Sequence, residues 1–212
     1  IGIGIEISAL NLSPNGGSIA AQAIMTTDTR PKQVAVRLTL ADAEVTIGGI
    51  AKGYAVDEAL WELRARGIEA ALVDGGGDIA IGAPPPGKKG WEISQEVVND
   101  SIEAEMRTLL LAHVAVATSG DTYRYLELGG RRYSHIVDPR RGMALTDQRR
   151  VTVIAPTGME ADAWASALSV ISMEEIPELV RRLPHLQVWI FRREGPEATV
   201  FQTPGFFGVS VK

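Results

Sequence analysis

Two side chains four residues apart have the chemistry of a cation site. Asp162 and Ser166 lie in an otherwise apolar segment whose pattern predicts a buried helix over 159–170. Residues four apart share one face of a helix, and a charge on such a helix needs a partner. A carboxylate and a hydroxyl, with a backbone carbonyl from elsewhere, form a hard oxygen set that Mg²⁺ accepts. Alternatively, Asp162 only stabilises the positive N-terminal end of this helix.

A glycine-rich segment provides a second candidate site. It reads Thr-Ile-Gly-Gly-Ile-Ala-Lys-Gly-Tyr-Ala-Val-Asp from Thr46 to Asp57 and leads from a β-branched approach into a helix predicted over 54–66. Glycines there let the backbone approach a ligand closely, and the first N–H groups of a helix favour anions. Lys52 adds a mobile cation, so the segment indicates a phosphate-bearing ligand. A plain tight turn with a surface lysine is the alternative.

Three further segments carry polar groups for which both a functional and a purely structural interpretation stay open. His135 lies near the end of a predicted strand that runs into a turn at Pro139, where it either moves protons near neutral pH or hydrogen-bonds a backbone carbonyl. Asp74 and Asp78 flank three glycines and either line a site or belong to a solvated turn. The segment 118–121 offers hydroxyls on a flexible backbone, with the same two interpretations.

The elements that position these groups are predicted from apolar periodicity. Helices are expected over 54–66, 159–170 and 174–183. Strands are expected over 1–7, 33–40, 70–73, 79–81, 91–94, 107–112, 114–117, 122–128, 131–137, 151–155, 188–192 and 198–202. Strand, helix and strand within 45–81 suggest a βαβ-like unit. The predicted class is therefore α/β (α+β), with mixed sheets and packed helices.

Composition restricts the function. The net charge of -5 and the pI near 5.3 argue against a nucleic-acid surface, and the arginine pairs at 131–132 and 140–141 are interpreted as parts of solvated hairpins. The absence of cysteine excludes disulfides, thiolate metal sites and a cysteine nucleophile. No run is long enough to span a bilayer, and no signal peptide is recognisable. Because the chain begins at Ile1, we expect that an upstream segment was removed or not included.

The segment from Thr46 to Asp57 resembles the signature of the FAD:protein FMN transferases, the family long called ApbE or thiamine-biosynthesis lipoproteins. Four further segments resemble the same family in the same order. They are Ala-Leu-Val-Asp-Gly-Gly-Gly-Asp at 71–78, Ala-Val-Ala-Thr-Ser-Gly at 115–120, Tyr-Ser-His-Ile-Val-Asp-Pro at 133–139, and Val-Thr-Val-Ile-Ala-Pro-Thr-Gly-Met-Glu-Ala-Asp-Ala-Trp-Ala-Ser at 151–166. The resemblance implies one FMN-transferase-like domain over 1–212, with an atypical part at 1–43 and a family core at 44–212.

The resemblance also implies a metal site. It assigns Mg²⁺ to the Asp162 carboxylate, the Ser166 hydroxyl and the backbone carbonyl of Gly49. Family members usually have threonine where this chain has Ser166, and serine keeps the hydroxyl with a less constrained rotamer. Some members carry a second aspartate where this chain has Ala165, so one ligand is absent here.

The flavin nucleotide site is implied in the same way. Lys52 is expected to contact the diphosphate of FAD. The backbone around Val137 is expected to contact the adenine side of FAD, and His135 is expected to transfer the proton of the attacking hydroxyl. Thr46 replaces an aspartate that commonly contacts FAD, which leaves a neutral hydroxyl. No Gly-Ala-Phe-Asp-like stretch occurs between Ile1 and Ala43, so the isoalloxazine half of the site is expected to be missing or rebuilt.

The implied reaction is Mg²⁺-dependent cleavage of FAD, with attachment of FMN to a Ser or Thr of a target protein through a phosphoester and release of AMP. The implied acceptor is a flavoprotein subunit of a membrane redox complex. Two alternatives stay open: an FAD pyrophosphatase that gives FMN and AMP, and a flavin-nucleotide-binding relative without catalysis. The resemblance implies a periplasmic or membrane-anchored location, and a cytoplasmic one is the alternative.

Overall fold

The described part of the chain divides into two compact units. The computed structural model describes residues 4–10, 19–24, 48–98, 104–120 and 125–208. One unit draws on Ile1–Thr46 and Val137–Ala144, and the other on Ile47–Ile136 and Leu145–Lys212. The expectation of one domain over 1–212 stays a prediction. The predicted strand at 33–40 lies outside the described residues.

The described residues form fourteen strands, three α-helices and a 3₁₀ turn. They are β1 Gly4–Leu10, β2 Ile19–Ile24, α1 Ala51–Ala65, β3 Leu72–Asp74, β4 Ile79–Ile81, β5 Trp91–Val98, β6 Ala104–Leu111, β7 Ala115–Gly120, β8 Tyr125–Leu128, β9 Arg131–Ser134, β10 Val137–Asp138, β11 Met143–Ala144, β12 Gln148–Ala155, α2 Gly158–Leu168, α3 Ile176–Arg181, β13 Gln187–Glu194, β14 Glu197–Gln202 and the 3₁₀ turn Phe206–Gly208. The three predicted helices are present, and the class α+β is confirmed.

The first unit contains two short antiparallel pairs, β1 with β2 and β10 with β11. The turn between β10 and β11 is held by Asp138, whose Oδ1 accepts a hydrogen bond from the Arg140 amide at 3.0 Å. The carbonyl of Asp138 accepts from the Gly142 amide at 2.8 Å. Gly142 has φ +61°, the left-handed conformation that glycine adopts without strain.

The second unit is built on a six-stranded sheet in the order β14-β13-β12-β7-β4-β3, in which every neighbouring pair is antiparallel. The hairpins β5–β6 and β8–β9 are separate two-stranded sheets. β3 and β4 are therefore a hairpin joined by the predicted glycine turn. The strand expected to precede α1 lies outside the described residues, so the βαβ-like unit stays a prediction.

The central strand β12 shows how the sheet is covered on both faces. Side chains alternate along a strand. Val151 and Val153 face the helical layer and join a core cluster with α2 and α3. Ile154 points the other way and joins a cluster with the apolar side chains of β5–β6. Burying each such side chain contributes roughly 1.5–3 kcal/mol, so the strand is fixed between two hydrophobic layers.

Helix α2 is buried, as its apolar pattern predicted. None of its residues is exposed, and Ala161, Ala165 and Leu168 are completely buried on its sheet-facing side. Thr157 caps its start by accepting a hydrogen bond from the Glu160 amide at 3.2 Å. This helix consequently carries Asp162 into the interior.

Helix α1 packs beside α2 on the same layer. Val56 and Leu60 are buried against β3 and β4. The helix ends at Ala65, and Gly67 follows with φ +81°, as expected for a glycine just past a helix end. The helix begins at Ala51, three residues before the predicted start. The prediction placed the start late because residues 51–53 carry no apolar periodicity. Lys52 and Gly53 therefore belong to the first turn.

Candidate active site

Helices α1 and α2 meet at two glycines. A Cβ placed on Gly53 would lie 2.1 Å from the carbonyl oxygen of Gly158, and one placed on Gly158 would lie 2.6 Å from the carbonyl oxygen of Gly53. Both distances are far below a van der Waals contact, so side chains at these positions would force the helices apart. The crossing brings the first turn of α1 against the first turns of α2.

Asp162 lies at this crossing with only 5% of its surface exposed. Its Oδ2 accepts a hydrogen bond from the Gly53 amide at 3.1 Å. That amide belongs to the first turn of α1, whose N–H groups have no partner within the helix. Asp162 therefore binds the N-terminal end of α1. The alternative considered from the sequence was that it stabilises the N-terminal end of its own helix, α2.

Asp78 is the second carboxylate of the cluster. It is 1% exposed, follows the glycines of the β3–β4 turn, and lies near enough to Asp162 for the two charges to interact. Burial raises the pKa of Asp78 to about 6; the hydrogen bond from Lys52 opposes this shift, and the charge of Asp162 adds to it. Two adjacent buried carboxylates repel each other, so this position favours positive charge.

Lys52 supplies a positive charge at this place. Its Nζ lies 2.7 Å from Asp78 Oδ2, while its side chain stays 49% exposed. The lysine thus reaches from the surface to a buried carboxylate. The first turn of α1 and the glycine turn are brought together by this ion pair.

Gly49 and Ser166 complete the cluster. A Cβ on Gly49 would lie 2.8 Å from Ser166 Oγ, so the backbone before α1 approaches the hydroxyl as closely as a glycine allows. Ser166 lies one turn after Asp162 on α2. Among the described residues no group of three or more His, Asp or Glu side chains could hold a metal. The donors in this cluster are two carboxylates, a hydroxyl and backbone carbonyls, all hard oxygens that fit Mg²⁺.

The other predicted site residues have no described contact with this cluster, and one of them lies outside the described residues. His135 follows β9 at an exposed bend, with Ser134 buried beside it. Val137 begins β10, in the first compact unit, and is 51% exposed. Thr46 lies outside the described residues. The structure thus brings four predicted residues together, namely Gly49, Lys52, Asp162 and Ser166.

Sequence reasoning left the role of one aspartate open and missed that of another. Asp78 was equally well explained as part of a solvated turn, and it is buried at the cluster. Asp57, the last residue of the glycine-rich segment, was given no role, yet it accepts hydrogen bonds from two α2 amides. The available signal for Asp57 was its place in the glycine-rich segment, whereas nothing in the sequence separated Asp78 from Asp74. Asp74, by contrast, is exposed and accepts from the Gly77 amide at 2.8 Å.

The remaining hydroxyl segment lies in the sheet. Thr118 Oγ1 is 2.9 Å from Thr152 Oγ1, and Thr152 also accepts a hydrogen bond from Gln95 at 3.0 Å. Thr118 thus takes part in a polar network between β7, β12 and β5. Its functional role stays a prediction.

The fold defines an α+β protein with an antiparallel sheet, helices on one face and a carboxylate-lysine cluster at a helix crossing. A model of the ApbE family matches residues 11–190, and this chain belongs to that family. The FAD:protein FMN transferase of Escherichia coli (strain K12) is 33% identical over 170 residues, covering 79% of this chain and 48% of the relative.

Solved structures agree with this assignment. The flavinyl transferase ApbE of Pseudomonas stutzeri, in its apo form, has a TM-score of 0.66 and 33% identity, covering 84% of this chain and 54% of that one. The ApbE protein of Thermotoga maritima has a TM-score of 0.68 and 31% identity, covering 85% and 57%. The predicted family and fold are confirmed. The chain spans about half the length of the curated relatives that it matches.

Within residues that the structure describes, no helix is both long and apolar enough to cross a bilayer.

Proposed function

We propose that this chain carries the metal and diphosphate part of an FAD:protein FMN transferase. The observation that supports this most strongly is the cluster at the α1–α2 crossing. There the buried carboxylates of Asp78 and Asp162 meet a half-exposed lysine at the N-terminal turn of a helix. A site that combines hard oxygen donors, a mobile cation and the positive N-terminal end of a helix suits a metal-bound diphosphate. Membership in the ApbE family supports the same choice.

The proposed reaction is a phosphoryl-group transfer. The hydroxyl oxygen of a Ser or Thr in an acceptor flavoprotein attacks the phosphorus on the FMN side of FAD. A new phosphoester P–O bond forms, the P–O bond of the pyrophosphate breaks, and AMP leaves. The hydroxyl proton passes to the imidazole of His135. The acceptor is a flavin-carrying subunit of a membrane redox complex. Positioning and charge stabilisation supply most of the rate enhancement of such a transfer.

We assign the metal ligands to three residues. The Asp162 carboxylate, the Ser166 hydroxyl and the Gly49 carbonyl would hold Mg²⁺, and the close approach of the Gly49 backbone to the Ser166 side chain supports this set. A bound Mg²⁺ supplies Lewis-acid stabilisation of developing negative charge on the phosphate oxygens. The buried position of Asp162 excludes competing water, which strengthens its electrostatic interactions.

We assign the contacts with the flavin nucleotide to Lys52, Thr46 and Val137. Lys52 steadies the diphosphate as a point charge on a flexible stem. Thr46 and the backbone at Val137 contact the rest of FAD. Since β1 and β2 and the matched residues 11–43 have no Gly-Ala-Phe-Asp-like stretch, the flavin ring is covered by other groups or by an acceptor.

The test is product analysis. FAD is incubated with Mg²⁺ and this chain, with and without a flavin-free acceptor subunit, and AMP and protein-bound flavin are measured. We expect AMP only with acceptor, in equal amount to the flavin attached. AMP formed regardless of acceptor would identify a pyrophosphatase, and FAD binding without AMP would identify a binding protein.

Matched variants test the assignment of the cluster. Asp162→Ala is expected to abolish AMP formation and to weaken FAD binding in Mg²⁺. Asp74→Asn removes a carboxylate from the same glycine turn as Asp78, but from an exposed position, and should leave both unchanged. Equal losses in the two variants would contradict the proposed site.

A further inference from the structure

We infer that Lys52 occupies the cation position in the cation-free protein, where it pairs with Asp78. When the cation binds, it replaces Lys52 as the partner of the Asp78 carboxylate. Cation binding would then release Lys52 to the diphosphate, so the two ligands bind in a set order. This inference rests on the proposed function, because it takes the cluster to be a Mg²⁺ and diphosphate site. It adds Asp78 to the residues of that site and gives Lys52 two positions.

The first support is the contrast in burial across the Lys52–Asp78 ion pair. Asp78 is 1% exposed, whereas the Lys52 side chain is 49% exposed, and 2.7 Å separates the two charged atoms. A carboxylate so deeply buried needs a positive partner. Lysine is a compact charge on a flexible stem, so Lys52 can leave towards solvent without disturbing the core. The carboxylate is fixed and its partner is exchangeable.

The second support is the balance of charge. The cluster holds two carboxylates, Asp78 beside Lys52 and Asp162 beside Gly53, but one lysine. A single ammonium neutralises only one carboxylate. A divalent cation matches both, and Lys52 then carries a surplus positive charge. That surplus has no carboxylate left in the cluster and favours an anionic ligand instead.

The third support is the position of Lys52 in the first turn of α1. Lys52 is the second residue of α1, and the first turn of a helix presents unpaired amides and the positive end of the helix dipole. A diphosphate bound there would meet the ammonium directly. Cation binding and diphosphate binding are therefore expected to strengthen each other, and the coupling must be the same in both directions.

The test measures cation binding alone, without any flavin. MgCl₂ is titrated calorimetrically into the wild-type chain, Lys52→Met and Lys88→Met. Removing the competing ammonium should raise Mg²⁺ affinity about tenfold in Lys52→Met, a value that allows for partial exposure of the lysine. Lys88 is an exposed lysine of the 82–90 loop. Lys88→Met makes the same change in net charge and should change the affinity less than about twofold.

A double-variant cycle separates direct competition from a general field effect. Asp78→Asn should weaken Mg²⁺ binding, and Lys52→Met should give no further gain in the Asp78→Asn background. Circular dichroism of each variant checks that the fold is kept. Unchanged or weakened Mg²⁺ binding in Lys52→Met, or a gain that persists in full without Asp78, would overturn the inference.

The outcomes also separate this inference from the proposed function. If Lys52→Met does not bind Mg²⁺ more tightly while the wild-type chain still forms AMP with an acceptor, only the exchange of Lys52 is wrong. If the affinities change as expected but no AMP forms, the exchange stands and the transferase proposal fails. A wild-type chain that binds no Mg²⁺ would overturn both.

Discussion

The carboxylate of Asp57 on α1 accepts a hydrogen bond from the first backbone amide of α2, with its Oδ1 2.7 Å from the Gly158 nitrogen. Its Oδ2 accepts from the next amide, that of Met159, at 2.9 Å. These amides have no partner within α2, and the negative charge matches the positive end of the helix. Because Lys52 is on α1 and Asp162 on α2, Asp57 fixes one half of the cluster relative to the other.

We predict that Asp57→Ala lowers the free energy of unfolding by about 1–2 kcal/mol, the usual effect of removing a helix cap. Burial raises the pKa of Asp57, and its hydrogen bonds to Met159 and Gly158 oppose that shift, so the carboxylate carries a desolvation cost that limits the loss. Urea denaturation measures the difference.

The control for Asp57 is Glu69→Ala, which removes an exposed carboxylate shortly after the end of α1. It should change the free energy of unfolding by less than about 0.5 kcal/mol. Mg²⁺ affinity should fall in Asp57→Ala but not in Glu69→Ala. Equal stability in the wild-type chain and Asp57→Ala would show that the two hydrogen bonds do not support the helix.

A second prediction concerns the contact between the helices. Gly53→Ala should destabilise the protein by at least about 2 kcal/mol, although alanine favours a helix by about 1 kcal/mol. The reason is that the new Cβ would lie 2.1 Å from the carbonyl oxygen of Gly158 and 2.8 Å from Cβ of Asp162. Thermal unfolding followed by circular dichroism provides the measurement.

The comparison for Gly53→Ala is Ala59→Ser, a similar enlargement at an exposed position of the same helix. It should cost about 0.5 kcal/mol at most. A crossing that tolerated the alanine without loss would mean that the helices can separate freely, and the Gly53–Asp162 hydrogen bond would then not hold the cluster.

The elements of the fold were predictable where the apolar pattern is strong. Both long helices and the strand at 151–155 were recognised because each buries one face or all faces, and burial leaves a regular pattern in the sequence. The start of α1 was placed three residues late, since glycine and lysine at its first turn carry no such pattern. Pairing of β3 with β4 follows from their glycine turn, whereas the order of the six-stranded sheet depends on contacts distant in sequence.

The candidate site was predictable only in part. Asp162 and Ser166 were found because four residues make one helical turn, and Lys52 because it follows glycines. Asp78 could not be distinguished from Asp74, since the sequence shows the same residue on each side of three glycines. The structure separates them, since Asp78 is buried beside Lys52 and Asp74 is exposed. Family resemblance supplied the roles that spacing alone left open.

A third prediction concerns the far end of α2. The buried guanidinium of Arg149 donates from Nη1 to the carbonyls of Ser169 and Ile171 at 2.8 and 2.9 Å, and from Nε to Asp147 at 2.9 Å. Arg149→Met should lower the free energy of unfolding by about 3 kcal/mol, because it leaves buried acceptors without their charged donor. Chemical denaturation measures the loss.

Two comparisons make the Arg149 result specific. Arg182→Met, at an exposed arginine after α3, should lie within about 0.5 kcal/mol of the wild-type chain. Arg149→Lys should recover only part of the loss, because an ammonium lacks the planar fork that reaches two carbonyls and a carboxylate together. Full recovery by lysine would show that charge alone matters there.

The last prediction is a pH dependence in the β10–β11 turn. Burial would raise the pKa of Asp138, but hydrogen bonds from the side chain and amide of Arg140, together with the charges of Arg140 and Arg141, lower it below the ordinary value. A carboxyl group whose pKa is lowered on folding contributes stability above its unfolded pKa, near 4, and loses it as pH falls through the folded value. Acidification should therefore weaken this turn.

Asp138→Asn measures that contribution. The variant should be less stable than the wild-type chain by up to about 1 kcal/mol at pH 7, since Arg140 is more than half exposed and solvent screens the pair. The difference should shrink as pH is lowered from 5 to 2, when the wild-type carboxylate is protonated. Glu127→Gln, at an exposed carboxylate of β8, should show no such trend. A difference between Asp138→Asn and the wild-type chain that is independent of pH would mean that packing of Asp138, rather than its charge, supports the turn.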